Sequence, residues 1–206
     1  DILGKYIALA DWKIASILMD EYYCTAVVDL ETKAIRTVKD NLKEIAAGEK
    51  DACEKLMYAL ILSGLAMQMT GNSRPASGAE HHMVHLWDME VVNGHLDALH
   101  GEKVSAATML VLLEYKKLAD AIRRGACRVH AFTDGDTELL QETFGRKGIL
   151  GALEKENTPE LLDDVSTETL SGALPEILKI IDLLPAVTDM QEMMSIVGCI
   201  SVTAGR

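Results

Sequence analysis

The sequence predicts an all-α, multi-helical fold, and three observations support this prediction. Apolar residues recur at three- and four-residue spacing along almost the whole chain, which is the period of a helix with one buried face. Alternating, β-branched stretches of the kind that form strands are nearly absent. Hydrophobic residues make up 49% of the 206 positions, which is enough for the core of one large domain or two small ones.

The first three helices are predicted from their apolar faces and their terminating residues. One face near the start of the chain consists of Ile7, Leu9, Ala10, Ile14, Ile17 and Leu18. A second helix should run from about Cys24 to Ala47 and end at Gly48, because glycine commonly closes helices. A third should run from about Asp51 to Met69 and stop at Thr70-Gly71.

A loop and a capping signal precede the fourth helix. Residues 71–78, GNSRPASG, carry two glycines and a proline, which is typical of a loop. Ser77 followed three positions later by Glu80 fits a capping box. The fourth helix should therefore start there and run to about Val92.

Two further helical regions complete the prediction. One helix should begin near His100-Gly101 and continue to about Arg124. The final third, residues 133–206, should form shorter helices that glycines and prolines interrupt.

Composition excludes several classes of function. The net charge of −12 argues against a nucleic-acid surface, which requires a basic stripe. No apolar run approaches the roughly 20 residues of a membrane span, and no signal peptide is visible. Four cysteines are far apart, so reduced thiols in a cytoplasmic protein are expected rather than disulfides or a metal knuckle; they are Cys24, Cys53, Cys127 and Cys199.

Histidines are concentrated in one part of the chain: five of the six lie within residues 81–100. His81 and His85 share a helix face because they are four residues apart, and His82 and His85, three apart, share a neighbouring face. His81 and His82 point about 100° apart around the axis, so at most two of these three can enter one site. His100, at the start of the next helix, could join them.

Histidines with a carboxylate form a ligand set for Zn²⁺, Fe²⁺ or Ni²⁺. Two histidines and one carboxylate leave coordination positions open for water or substrate, as a catalytic site requires. The same spacing also occurs in helices whose histidines are only hydrogen-bonded. Two hypotheses therefore stay open here: a metal-dependent enzyme, or a non-catalytic helical scaffold or dimerisation module.

Three ordered segments carry a resemblance to a known family. DILGKYIALADWK, TGNSRPASGAEHHMVH and LHGEKVSAATMLVLLEY resemble the sn-glycerol-1-phosphate dehydrogenases, within the superfamily of iron-containing alcohol dehydrogenases, glycerol dehydrogenases and dehydroquinate-synthase-like enzymes. The resemblance extends from Asp1 to about Glu114. It implies a two-domain enzyme in which a nucleotide-binding domain precedes a bundle-like helical domain. We expect residues 1–206 to be that helical domain and the nucleotide-binding domain to lie upstream of Asp1, absent from this chain.

The resemblance also implies roles for individual residues. The metal ligands would be Asp1, His81 and His100, with zinc as the first choice of cation and nickel or iron as alternatives. His82 competes with His81, because some relatives space these histidines three residues apart. His85 would lie near substrate and nicotinamide as the catalytic proton carrier.

The implied reaction interconverts dihydroxyacetone phosphate and sn-glycerol 1-phosphate with NAD(P)H, which the upstream domain would mainly bind. No cofactor-binding residue is assigned in this chain. A glycerol dehydrogenase, whose substrate lacks the phosphate, and a dehydroquinate-synthase-like cyclising enzyme are the alternatives within the superfamily. The family resemblance further suggests a homodimer.

The substrate phosphate would need an anchor, and Arg74 is the first candidate. A guanidinium can bind a phosphate through two hydrogen bonds, and the loop that carries Arg74 leads into a helix N-terminus, where backbone N–H groups favour anions. Lys5, one turn after Asp1, and Lys103, just after His100, are the further candidates.

Overall fold

A computed structural model describes residues 1–90, 94–130, 137–145, 150–151 and 165–199. Within these ranges the regular structure is helical and no strand occurs, so the all-α prediction is confirmed. Not one of the described helices combines the length and the apolar character that crossing a membrane would take.

The helices lie close to their predicted positions. After a 3₁₀ turn at Ile2–Gly4, they are α1 Lys5–Leu18, α2 Thr25–Lys39, α3 Leu42–Ala46, α4 Lys50–Thr70, α5 Ala79–Asp88, α6 His100–Arg123, α7 Thr137–Phe144, α8 Thr167–Ile181 and α9 Val187–Ile196. The predicted end of the fourth helix at Val92 lies outside the described residues, and α5 ends four residues earlier, at Asp88.

The single helix predicted from Cys24 to Ala47 is wrong, because two helices, α2 and α3, occupy this stretch. The backbone leaves the helical region at Asn41, with φ −127° and ψ 22°. The Asn41 side chain donates to the carbonyl of Thr37 at 2.8 Å, and such local hydrogen bonds compete with the helical ones. Gly48 follows α3 with φ +73°, as a helix-closing glycine should.

The main core lies between α1, α2, α4, α6 and α9, and α2 and α4 pack along each other. A second cluster joins α8 to α6 and to the end of α1. A third, smaller cluster joins α5 to α6 through Val84, Val104 and Ala107, all of which are fully buried. This third cluster fixes the histidine-bearing helix α5 against the helix that begins at His100.

Two glycines let the start of the chain approach α5 and α6. A Cβ on Gly4 would lie 2.9 Å from Cγ1 of Val104, and a Cβ on Gly78 would lie 2.8 Å from Cα of Ala8. Real Cβ atoms essentially never make contacts this short, so these elements pack so closely only because both residues lack a side chain. The first residue of the chain and the first turns of α5 and α6 are thereby held together.

Candidate metal centre

Three predicted ligands meet at one point. One carboxylate oxygen of Asp1 and one ring nitrogen each of His81 and His100 all lie within 4.8 Å of one another. Asp1 Oδ1 is 3.3 Å from His81 Nε2, and the His81 and His100 rings are centred 5.5 Å apart. Donors bound tetrahedrally to Zn²⁺ at about 2.1 Å are about 3.4 Å from each other. The Asp1–His81 separation therefore matches that of two donors on one divalent cation, and a ring nitrogen of His100 lies within 4.8 Å of both.

Helix starts position all three side chains. Asp1 precedes the 3₁₀ turn, and its carbonyl accepts from the N–H of Gly4 at 2.9 Å. His81 is the third residue of α5, and His100 is the first residue of α6. Gly101 lies against the chain start, since a Cβ there would be 3.7 Å from the Asp1 nitrogen.

A buried carboxylate orients His81. Glu80 is fully buried; its Oε1 lies 2.7 Å from His81 Nδ1 and accepts from the N–H of Gly78 at 3.1 Å. When Nδ1–H donates to Glu80, the lone pair of Nε2 faces the Asp1 carboxylate. Two acceptors 3.3 Å apart repel unless a positive charge lies between them. A cation bound between these two acceptors would remove that repulsion.

An exposed carboxylate orients His100. Asp88 Oδ2 lies 3.3 Å from His100 Nδ1, and Asp88 Oδ1 accepts from Lys103 Nζ at 2.7 Å. Lys103, and then His100, hold the pKa of Asp88 below its usual value. Carboxylates on the second nitrogen of histidine ligands fix the tautomer and the ring orientation at metal sites. The centre thus has a buried side, Glu80 with His81, and an open side, Asp88 with His100.

The other two clustered histidines of α5 lie outside the three-donor group. His82 is exposed, and its ring nitrogens are not among the donors that converge. His85 is also exposed, with its ring centred 6.4 Å from that of His81. His85 is therefore near the centre without belonging to it, and its catalytic role stays a prediction.

Arg74, the first candidate for phosphate binding, pairs with an acid. Its Nε donates to Oε1 of Glu21 at 2.7 Å, and its backbone N–H donates to Asn72 Oδ1 at 3.1 Å. Within the described ranges, no hydrogen-bond partner lies at its Nη atoms, and no contact joins Arg74 to the three-donor group. The Nη atoms are therefore available to an anion.

Lys5, another candidate for phosphate binding, is buried, with 3% of its surface exposed. Its Nζ donates to the carbonyl of Ala76 at 3.0 Å and lies 3.5 Å from Asp1 Oδ1. Burial lowers the pKa of Lys5, and the charges of Glu31 and Glu80 oppose that change. Lys5 therefore lies beneath Asp1 rather than on an open surface.

The predicted capping box at Ser77 and Glu80 is wrong. The residue before α5 is Gly78, and no side chain of that residue caps the helix. Instead Oδ2 of Asp11, from α1, accepts from the N–H of Ala79 at 2.7 Å. Burial raises the pKa of Asp11. Asp11 thus caps α5 from another helix, while Glu80 Oε1 contacts both the Gly78 N–H and His81 Nδ1.

Sequence reasoning missed Asp11, Asp88 and the histidine-orienting role of Glu80. Glu80 directly precedes His81 in the sequence, but the predicted capping box had already assigned its side chain to the helix N-terminus. Asp88 is 12 residues from His100, and the two come together because α5 packs against α6. No local pattern indicates a contact of that kind.

No family model matches the chain, but several curated proteins are similar to it in sequence. A glycerol-1-phosphate dehydrogenase (NAD(P)+) of Halalkalibacterium halodurans is 44% identical over 120 residues, 58% of this chain and 30% of that protein. One of Geobacillus stearothermophilus is 31% identical over 199 residues, 96% of this chain and 42% of that protein. One of Pyrococcus horikoshii is 33% identical over 149 residues, 70% of this chain and 42% of that protein.

The chain spans less than half the length of these curated relatives. All three are glycerol-1-phosphate dehydrogenases, and one match runs over nearly the whole of this chain. The resemblance predicted from the three sequence segments is therefore confirmed: this chain matches a portion of the glycerol-1-phosphate dehydrogenases.

Proposed function

We propose that this chain is the metal- and substrate-binding helical part of an NAD(P)-dependent oxidoreductase that interconverts dihydroxyacetone phosphate and sn-glycerol 1-phosphate. The observation that carries the proposal is the convergence of Asp1, His81 and His100 on one point. The names of the relatives support the substrate and the nicotinamide cofactor. The homodimer, the cytoplasmic location and an upstream nucleotide-binding domain stay predictions.

The three-donor group would hold the cation, and two carboxylates would hold its ligands. Glu80 keeps the His81 ring turned so that Nε2 faces Asp1, and Asp88 does the same for His100 from the open side. A divalent cation bound there would supply Lewis-acid polarisation of the C2 oxygen of the substrate. Zinc is our first choice, and nickel or iron would accept the same donors. Hydride transfer belongs to the nicotinamide.

His85 is our candidate for the proton transfer at the substrate oxygen. Its ring is exposed and lies 6.4 Å from that of His81, so a substrate at the centre would be within reach of it. Imidazole is the group that enzymes use most often for such transfers. Replacing His85 should therefore reduce turnover while leaving metal binding intact.

Two cations remain candidates for the phosphate. The Nε of Arg74 is bound to Glu21, and this contact holds a guanidinium whose side chain is 37% exposed. Lys103 lies close to the centre, linked to His100 through Asp88. Both cations pair with an acid at 2.7 Å, Lys103 with Asp88 and Arg74 with Glu21. Arg74 is our first candidate because a guanidinium can bind a phosphate through two hydrogen bonds.

The direct test is an activity assay on the full-length protein that contains this chain, loaded with zinc. We expect oxidation of sn-glycerol 1-phosphate with NAD⁺ or NADP⁺, and its loss in a His100→Ala variant that retains the wild-type circular dichroism spectrum. A preference for free glycerol would instead support the glycerol dehydrogenase alternative. Absence of any nicotinamide-linked oxidation by the zinc-loaded protein would contradict the proposal.

A further inference from the structure

Buried charged residues lie close to the candidate centre, and the proposed reaction assigns two of them, Lys5 and Glu31, no chemical step. Within the parts of the chain that the structure describes, Lys5 is the only lysine or arginine that is buried, and Glu31 and Glu80 are the only buried acids. Lys5 starts α1, Glu31 lies in the middle of α2, and Glu80 lies in the first turn of α5. Three separate elements therefore each direct one charged group into the same interior region.

Lys5 links the candidate ligand Asp1 to the loop before α5. Its Nζ donates to the carbonyl of Ala76 at 3.0 Å and lies 3.5 Å from Asp1 Oδ1. That same oxygen faces His81 Nε2 at 3.3 Å. The Asp1 side chain is 32% exposed, and its contacts with Lys5 and His81 turn the carboxylate towards the histidine.

The buried carboxylate of Glu31 stabilises the buried Lys5 ammonium. The Glu31 carboxylate is fully buried, and neither oxygen has a hydrogen-bond partner within the described ranges. The 3₁₀ turn directly before Lys5 packs against α2, the helix that carries Glu31. Burial raises the pKa of Glu31, while Ser63 and Lys5 act in the opposite direction. A buried carboxylate that is ionised is stabilised by a neighbouring positive charge, and Lys5 is the buried lysine among the described residues. Glu31 in turn keeps the Lys5 ammonium in the interior beneath Asp1.

We propose that Lys5 is a positioning residue: its ammonium, held by Glu31 and by the carbonyl of Ala76, fixes the Asp1 carboxylate for cation binding. The inference rests on the proposed function, since it gives Asp1 a metal to bind. It assigns Lys5 no contact with substrate, in agreement with its burial. Removing Lys5 should have two separate consequences. The Glu31 carboxylate would be left unpaired in the core, and the Asp1 carboxylate would no longer be held in place at the centre.

Three variants separate these consequences. Lys5→Met removes the ammonium and keeps most of the side-chain volume. Lys5→Met combined with Glu31→Gln also removes the buried charge that the first change leaves unpaired. Lys13→Met is the matched control, because Lys13 lies on α1 as well but contacts the ring of Tyr23. For each protein, zinc affinity is measured by competition with a chelator, and the melting temperature is measured without metal.

Lys5→Met should weaken zinc binding about 10- to 100-fold, as loss of groups that orient metal ligands does, and should lower the melting temperature by about 10 °C through the unpaired Glu31. The double variant should regain most of the melting temperature but not the zinc affinity. Lys13→Met should leave zinc affinity at the wild-type value.

The outcomes separate the two proposals. If zinc affinity recovers together with stability in the double variant, Lys5 has only a structural role and the inference is overturned. If the wild-type protein binds one zinc and the Lys5→Met variant binds zinc as tightly or more tightly, this inference alone is overturned. A wild-type protein that binds no stoichiometric metal overturns the proposed function and this inference with it.

Discussion

Exchanging Glu80 for glutamine tests whether the buried carboxylate supports the candidate centre through its charge. The substitution keeps the shape of the side chain and an oxygen that can accept a hydrogen bond from His81 Nδ1. In the wild-type protein, Glu80 Oε1 lies 2.7 Å from that nitrogen. Glu80 is fully buried, so solvent does not screen its charge. A hydrogen bond to a charged group contributes about 1.5–3 kcal/mol and a neutral one about 0.5–1.5 kcal/mol. The difference of about 1.4 kcal/mol corresponds to about a tenfold change in a dissociation constant.

We therefore expect Glu80→Gln to weaken zinc binding about tenfold, measured by chelator competition at fixed pH and ionic strength. Asp88→Asn is the matched control, because it removes the same charge from the second histidine at an exposed position. Solvent screens that charge, so its removal should weaken binding about threefold or less. A larger effect of Asp88→Asn than of Glu80→Gln, or no effect of Glu80→Gln, would refute the reasoning.

Three further changes test packing, titration and substrate binding. Gly78→Ala should destabilise the protein, because the added Cβ would lie 2.8 Å from Cα of Ala8, whereas Gly64→Ala, in open space on α4, should stabilise it by about 0.5–1 kcal/mol; urea unfolding measures both, and equal effects would contradict the packing. Burial raises the pKa of Glu31 above its ordinary value of 4.5. The protonated form of Glu31 therefore stabilises the folded state fully below pH 4.5, and this stabilisation is lost as the pH rises through the raised pKa. The melting temperature of Glu31→Gln relative to wild type should therefore increase between about pH 4.5 and 7, and a pH-independent difference would argue against a buried, titrating Glu31. Arg74→Met should raise KM for sn-glycerol 1-phosphate about tenfold or more and leave KM for glycerol unchanged; steady-state kinetics on both substrates check this, and equal shifts would remove Arg74 from the phosphate site.

The helices were predictable because their apolar residues repeat with the helical period over many turns. The repeat predicted the ends of α4 and α6 to within one residue, and it predicted the apolar face of α1. The break between α2 and α3 was not predictable, because both helices continue one apolar face and a single side-chain hydrogen bond of Asn41 marks the interruption. The capping error had a similar cause, since the cap of α5 comes from Asp11, a residue of another helix.

The candidate site was only partly accessible from the residues. Spacing identified the histidine cluster but left His81 and His82 as alternatives, because either pairs with His85 on one helix face. Packing of α5 against α6 directs His81 inward and leaves His82 exposed. Asp1 entered only through the family resemblance, since no local pattern marks it. The Asp88–His100 contact and the burial of Lys5 depend on packing between elements that sequence spacing does not encode. Glu80 is adjacent to His81 in sequence, but only its burial in the fold shows that it faces the histidine ring.

The most direct test of the central claim, that Asp1, His81 and His100 bind one cation, is a crystal structure of the zinc-loaded protein with data collected at the zinc absorption edge. We predict one anomalous peak at about 2.0–2.2 Å from a carboxylate oxygen of Asp1 and from one ring nitrogen of each histidine. A peak bound by His82 or His85 instead, or no peak at this position in protein with bound zinc, would contradict the account.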